Sequence, residues 1–206
     1  MITQDALEVE QGSDEWRKAR LGHVSASSIA AVMAKGAGKT RQSYLEKIVA
    51  ERLTQEIGEG FSNASMEWGT QTEPQARMAY EVLYETFVSK TGFHKHPTIE
   101  WLGVSPDGLL DAENALVEIK CPNTTTHLSY IKEGKCPAEY YKQIQCQLWV
   151  TDRKYCDFIS YDPRIKNEAL RLFVIRVPRD EELIAEMKKE VIKFLEDVET
   201  YIKELP

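Results

Sequence analysis

Leu102-Gly103-Val104-Ser105-Pro106-Asp107-Gly108-Leu109-Leu110, followed closely by Ala115-Leu116-Val117-Glu118-Ile119-Lys120-Cys121, is the stretch on which the fold turns. Two apolar runs flank Pro106-Asp107-Gly108, and proline, aspartate and glycine in that order favour a tight turn. In the second run, side chains two apart share a face, so Glu118 and Lys120 point one way and Val117 and Ile119 the other. A carboxylate and an ammonium on one face of an apolar strand are either an edge-strand ion pair or the start of a reactive site. A hairpin running from Asp107 to Glu118 can bring both carboxylates within reach of one cation.

Oxygen-only donors favour a hard ion, Mg²⁺ or Mn²⁺, over zinc. A lysine beside such a pair can orient an attacking water and favour its deprotonated form, while the metal polarises a phosphoryl oxygen. Hydrolysis of a phosphodiester needs that inventory.

Working outward, the pattern is α/β. Helical periodicity and stop signals predict helices over residues 13–20, ended by Gly22, and over 25–34, ended by Gly36. Ser43-Tyr44-Leu45-Glu46 reads as a capping box, opening a helix with Tyr44, Leu45, Ile48, Val49 and Leu53 inward. Glu73-Pro74 reads as an N-cap and a first-turn proline, ahead of Ala76, Tyr80, Leu83 and Phe87 at helical spacing. Strands are expected at 87–89, 98–104, 109–110, 115–120, 155–161 and 170–177, with a helix over 138–150. Residues 181–205 form an amphipathic helix with Ile184, Met187, Val191, Leu195, Val198 and Ile202 on one side. One mixed sheet flanked by helices, in a single domain of 206 residues, is the simplest architecture.

Composition narrows the class. The chain is 42% hydrophobic and 29% charged, which suits a packed globule, and no apolar run approaches the roughly 18 residues of a membrane span. Residues 1–16 hold five acidic side chains and no basic one, unlike a signal or transit peptide, so a cytoplasmic protein is expected. The formal charge is −7, but residues 17–41 carry six basic and no acidic groups, whereas 180–206 carry nine acidic and four basic. A polyanion responds to the local patch, so the sum does not exclude a nucleic-acid partner.

Other motifs are weaker. Gly36-Ala37-Gly38-Lys39-Thr40 resembles a nucleotide-binding loop, but Met33 stands where the first glycine belongs, so a basic loop over 35–41 is the better reading. His94-Lys95-His96 lacks a third zinc ligand and reads as surface histidines. Cys121, Cys136, Cys146 and Cys156 form no close pair and read as reduced thiols. Trp16, Trp68, Trp101 and Trp149 sit among apolar neighbours and read as packing residues.

Asp107 with Glu118-Ile119-Lys120 resembles the PD-(D/E)xK nuclease signature. Glu10-Gln11-Gly12, Trp16, Arg20-Leu21-Gly22, Ala26-Ser27, Trp68-Gly69, Ser105 to Leu109, Lys120-Cys121-Pro122, Gln143, Trp149-Val150-Thr151 and Tyr161-Asp162-Pro163-Arg164 extend the likeness. The series resembles the phage lambda exonuclease family, the YqaJ-like viral recombinases, from about residue 8 to the last helix. That resemblance implies a restriction-endonuclease-like core. It implies a divalent metal held by Asp107, Glu118 and the main-chain carbonyl of Ile119, with Glu73 and Gln143 beside it and Lys120 positioning the water. It implies that Arg20, Ser27 and Ser105 bind a 5′-terminal phosphate, with Ser25 where a threonine is usual. The implied activity is Mg²⁺-dependent 5′→3′ digestion of linear double-stranded DNA by a ring-shaped homotrimer. The 3′ overhang would pass to a single-strand annealing protein, in a bacterial host carrying phage or prophage genes.

Two other readings stay open at this level. One is a related endonuclease or iron–sulfur nuclease, the latter short of C-terminal cysteines beyond Cys156. The other is a DNA-binding module that has lost catalysis, against which Asp107, Glu118 and Lys120 are all present.

Overall fold

A computed structural model describes residues 9–34, 39–56 and 64–206. Helix α1 (Asp14–Arg20) opens on Ser13, whose hydroxyl accepts the Trp16 N–H, and is followed by Gly22 at a φ of +69°. Next come β1 (Val24–Ser25), a 3-10 turn, α2 (Ile29–Val32), α3 (Lys39–Thr54) and α4 (Ala64–Tyr84). Strands β2 (His94–Lys95), β3 (Leu102–Val104), β4 (Gly108–Leu110) and β5 (Ala115–Lys120) fill the middle of the chain. Helices α5 (Thr124–Glu133) and α6 (Ala138–Thr151) precede β6 (Tyr155–Tyr161), β7 (Leu172–Pro178) and α7 (Glu181–Lys203).

The mixed sheet expected from the sequence is β4-β5-β6-β7, with β5 and β6 parallel and the outer pairs antiparallel. The parallel pair is connected through α5 and α6, as a crossover requires. Strands β1-β3-β2 form a second, smaller sheet. The link from β3 to β4, residues 105–107, therefore passes from one sheet to the other.

Alternation along β5 divides the core. Val117 and Ile119 pack with Ala76 and Tyr80 of α4, while Leu116 packs with Ile144 and Leu148 of α6. The apolar side of α7, through Met187, Val191, Phe194 and Val198, closes over Ile29, Ile48 and Leu102. Each such aliphatic side chain contributes about 1.5–3 kcal/mol on burial.

A polar contact fixes α4 to the sheet. The buried Asp157 carboxylate of β6 accepts two bonds from Arg176, each 2.9 Å, and one from the Tyr80 hydroxyl at 2.7 Å. Asp157→Ala leaves that hydroxyl unpaired in the interior, and a loss of about 3 kcal/mol is expected in urea unfolding. Tyr80→Phe removes only one hydrogen bond and should cost about 1 kcal/mol.

Several expectations need correction. The helix expected over 25–34 is a 3-10 turn followed by four residues of α2, a stretch in which Ser25, Ser27 and Ser28 are weak helix formers. Helix α3 is already formed at Lys39, so Ser43 lies inside it, and Leu53 is 54% exposed. Helix α4 runs straight through Pro74, so Glu73 is not its N-cap. The proline lacks an N–H for the Thr70 carbonyl, a vacancy that solvent can fill at this exposed position. The buried stripe of α4 is Thr72, Ala76 and Tyr80, and Leu83 and Phe87 lie off it, 62% and 75% exposed.

Residues 98–101 are not strand, since Trp101 takes a φ of +66° just before β3. Residues 87–89 contribute one isolated bridge, Ser89 to Leu109. Helix α5 was not anticipated, although its Asn123 cap and left-handed Gly134 are ordinary start and stop signals. His94 is buried against Thr91 and is not a surface residue. Of the basic loop, residues 35–38 lie outside the described residues, and Arg41 pairs with Asp197 of α7 at 2.7 Å. Among the described residues no helix is long and apolar enough to cross a membrane.

Candidate active site

Gly108 pairs with Val117 across β4 and β5, and one further step in that register brings Asp107 level with Glu118. The β3–β4 link is tied to β5 by the Ile119 N–H, which donates to Asp107 Oδ2 at 2.7 Å. Gly108 permits it: a Cβ there would stand 2.2 Å from Val88 Cγ1. Glu118 is 1% exposed, and both of its carboxylate oxygens accept hydrogen bonds. Oε1 accepts from Lys120 Nζ and from Gln143 Nε2, both at 2.5 Å, and Oε2 accepts from Gln147 Nε2 at 2.7 Å. The two glutamines are one helical turn apart on α6 and so address the same carboxylate.

From the other side comes α4. Glu73 Oε1 accepts from Arg77 Nη2 at 2.6 Å, and the same nitrogen donates to the Asp107 carbonyl at 3.0 Å. Arg77 Nε and Nη1 are buried with no hydrogen-bond partner. The structure thus gathers Asp107, Glu118, Lys120, Gln143 and Glu73, and adds Arg77 and Gln147, which sequence reasoning missed. The usable signals were a cation four residues beyond Glu73 and an amide four beyond Gln143.

Electrostatics explains what this group lacks. Burial, then the neighbouring Glu118 carboxylate, pushes Asp107 up to about 8, with Lys120 only partly offsetting them. Burial alone would discharge Lys120, but Glu118 and Asp107 outweigh it and raise its pKa, so the ammonium stays charged. With Asp107 ionised, three carboxylates, Asp107, Glu118 and Glu73, face two cations, Lys120 and Arg77, so a bound cation would offset the cost of that ionisation. Among the described residues no three His, Cys, Asp or Glu side chains converge to hold a metal unaided. The donors available are Asp107, Glu118 and the Ile119 carbonyl, an oxygen set that suits a hard divalent ion. The cysteines are free, and burial followed by Glu73 pushes Cys121 up to about 12, so it remains a thiol.

A cavity of about 210 Å³ lies nearby, lined in part by Trp16, Arg17, Arg20, Ser25, Ser27 and Lys47. The Arg20 guanidinium stacks over the Trp16 ring, 4.0 Å from its centroid, and finds no hydrogen bond or ion pair among the described residues. Ser25 and Ser27 hydroxyls are 3.2 Å apart. Three basic side chains against Glu51 make the cavity electropositive. Ser25 and Ser27 line the cavity together with Arg20, and Ser105 is not among its lining residues. Ser105 is joined to the cavity through Trp16, whose Nε1–H donates to its Oγ at 2.9 Å.

Comparison with known proteins identifies the family and the fold. Residues 15–154 match the YqaJ-like viral recombinase domain. The alkaline exonuclease of Laribacter hongkongensis, solved in complex with dAMP, superposes with a TM-score of 0.86 at 45% identity, covering 93% of this chain and 95% of that one. A phage-related exonuclease from Haemophilus somnus shares the fold at 17% identity, with a TM-score of 0.70 over 92% of this chain and 99% of that one. An uncharacterized protein of Acanthamoeba polyphaga mimivirus is 27% identical over 166 residues, and the match spans 73% of this chain but only 29% of that protein. With a family domain matched over most of its length and a close structural relative over nearly all of it, this chain belongs to the YqaJ-like viral recombinase family and has its restriction-endonuclease-like α/β fold.

Proposed function

We propose that this protein is a Mg²⁺-dependent exonuclease that degrades the 5′-ended strand of linear double-stranded DNA and leaves 3′ overhangs, with Mn²⁺ able to substitute. The observation that carries the proposal is the convergence of Asp107, Glu118 and Lys120 at one end of β5, beside an electropositive cavity. Asp107, Glu118 and the Ile119 carbonyl would hold the ion, with Glu73 at the margin. When bound, the ion supplies Lewis acidity toward a phosphodiester oxygen.

The chain's own groups do the rest. Lys120 stays protonated, so it acts as a donor that orients the attacking water and favours its hydroxide form. Gln143 and Gln147 pin the Glu118 carboxylate so that it cannot swing away from the cation. Arg20, with Ser25 and Ser27, would take the 5′-phosphate, since a guanidinium edge matches two phosphate oxygens. Ser105, two residues from Asp107, places that end next to the cutting site.

The same reading includes a homotrimeric ring around DNA, a single-strand annealing protein as partner, and a phage or prophage setting in the bacterial cytoplasm. Support for self-association is an apolar surface on and just beyond α4, where Met78, Val82, Leu83 and Phe87 are 62–75% exposed. Light scattering on the purified protein reads the trimer mass directly.

The deciding experiment is digestion of linear duplex carrying one 5′-phosphate and a 3′ label, with EDTA and closed-circle controls. Loss of the phosphorylated strand from its 5′ end, in Mg²⁺ only, is the expected result. Cutting of the circle would identify an endonuclease instead, and a gel shift without cutting would identify a binding module.

A further inference from the structure

We propose that Trp16 is the positioning residue that makes the enzyme sensitive to the 5′-phosphate, by tying the cavity to the metal-bearing turn. The inference rests on reading that cavity as the 5′-phosphate site. Trp16 belongs to none of the three apolar core clusters of the described residues, so packing does not account for it. Its two functional contacts point in different directions. One face lies under the Arg20 guanidinium, 4.0 Å away, and the indole N–H donates to Ser105 Oγ at 2.9 Å.

Each contact leaves the partner ready for an anion. Stacking uses the flat face of the guanidinium and spares the N–H groups on its edge, which are the ones that grip phosphate. The indole has a single proton to give, so its bond to Ser105 fixes the ring plane on which Arg20 rests. Ser105, accepting that proton on one lone pair, keeps its own hydroxyl hydrogen for another acceptor.

The turn is gripped a second time by the same N-terminal segment. Gln11 Nε2 donates to the Pro106 carbonyl at 2.6 Å and to the Thr91 carbonyl at 3.3 Å. Residues 105 and 106 are thus held from outside by Trp16 and Gln11, immediately before Asp107. A phosphate that settles Arg20 settles the ring beneath it, and through Ser105 the turn that carries the metal ligand. An unphosphorylated end fills the same groove without that effect.

Trp16→Phe keeps the stacking face and deletes the N–H, so kcat and KM are to be measured for it on 5′-phosphorylated and 5′-hydroxyl duplexes. The expected result is a fall of about 3- to 10-fold in the phosphorylated-to-hydroxyl ratio, the size of one hydrogen bond. The hydroxyl rate should fall less than the phosphorylated rate, and a melting temperature close to wild type reports an intact fold. Trp16→His, with a flat ring and a ring N–H, should retain a higher ratio than Trp16→Phe. With Ser105→Ala added, Trp16→Phe should cost no more than the larger single change. An unchanged ratio, equal loss on both ends, additive losses or the reverse order of the two variants would each overturn the role of Trp16. A wild-type protein indifferent to the 5′-phosphate would instead remove the phosphate reading itself.

Discussion

Lys120→Met reduces DNA cleavage by about 10³-fold, while duplex binding in EDTA, followed by gel shift, stays within about threefold of wild type. The argument starts from charge. Lys120 sits between two carboxylates that outweigh the effect of burial and raise its pKa, so it is a cation throughout the usable pH range. As an ammonium it can orient water and stabilise the negative charge that forms. Methionine has nearly the same length and no charge, so the cavity shape survives and that function does not. In the proposed function, binding to DNA would draw on the basic residues around Arg20, which the substitution leaves alone. Glu118 keeps its bonds from Gln143 and Gln147 in the variant, which holds the strand in register. Undiminished turnover by Lys120→Met would take lysine out of the mechanism.

What could be read from the sequence was the part that depends on local geometry. Glu118 and Lys120 share a face because strand period is two, and β5 has the bounds expected for it. Asp107 meets Glu118 because the short turn at 111–114 makes β4 and β5 adjacent antiparallel strands, with Gly108 opposite Val117. Helix α7 was legible because its apolar stripe is long and regular.

What was missed depends on tertiary partners. Gln147 looks like any polar helix residue until α6 is laid against β5, where its amide finds Glu118. Arg77 looks like a surface cation until α4 brings it to the Asp107 carbonyl. Pro74 argued for a helix start, and only the continued packing of Thr72, Ala76 and Tyr80 carries α4 through it. Trp16 was read as packing because indole burial and indole hydrogen bonding have the same sequence signature.

Asp107→Asn abolishes cleavage, by about 10³-fold or more, and at the same time stabilises the protein measured in EDTA. The two effects have one cause. The ionised carboxylate is held beside Glu118 in a buried turn, which pushes it up to about 8 because ionisation there is unfavourable. An acid whose folded pKa lies above its unfolded value contributes stability at low pH and loses it as pH rises between the two. The asparagine has no charge to lose, and its amide oxygen can still accept the Ile119 N–H that closes the turn. Its melting temperature in EDTA should therefore match wild type near pH 4, rise above it as pH increases toward 8, and keep a constant lead beyond. Mg²⁺ should reverse the order, raising the wild-type melt and barely moving the variant, because a cation relieves a repulsion that only the wild type retains. An EDTA melt lower than wild type at pH 8 would mean that the carboxylates are already compensated without metal. In that case the charge imbalance among Asp107, Glu118, Glu73, Lys120 and Arg77 would not be what draws the ion in.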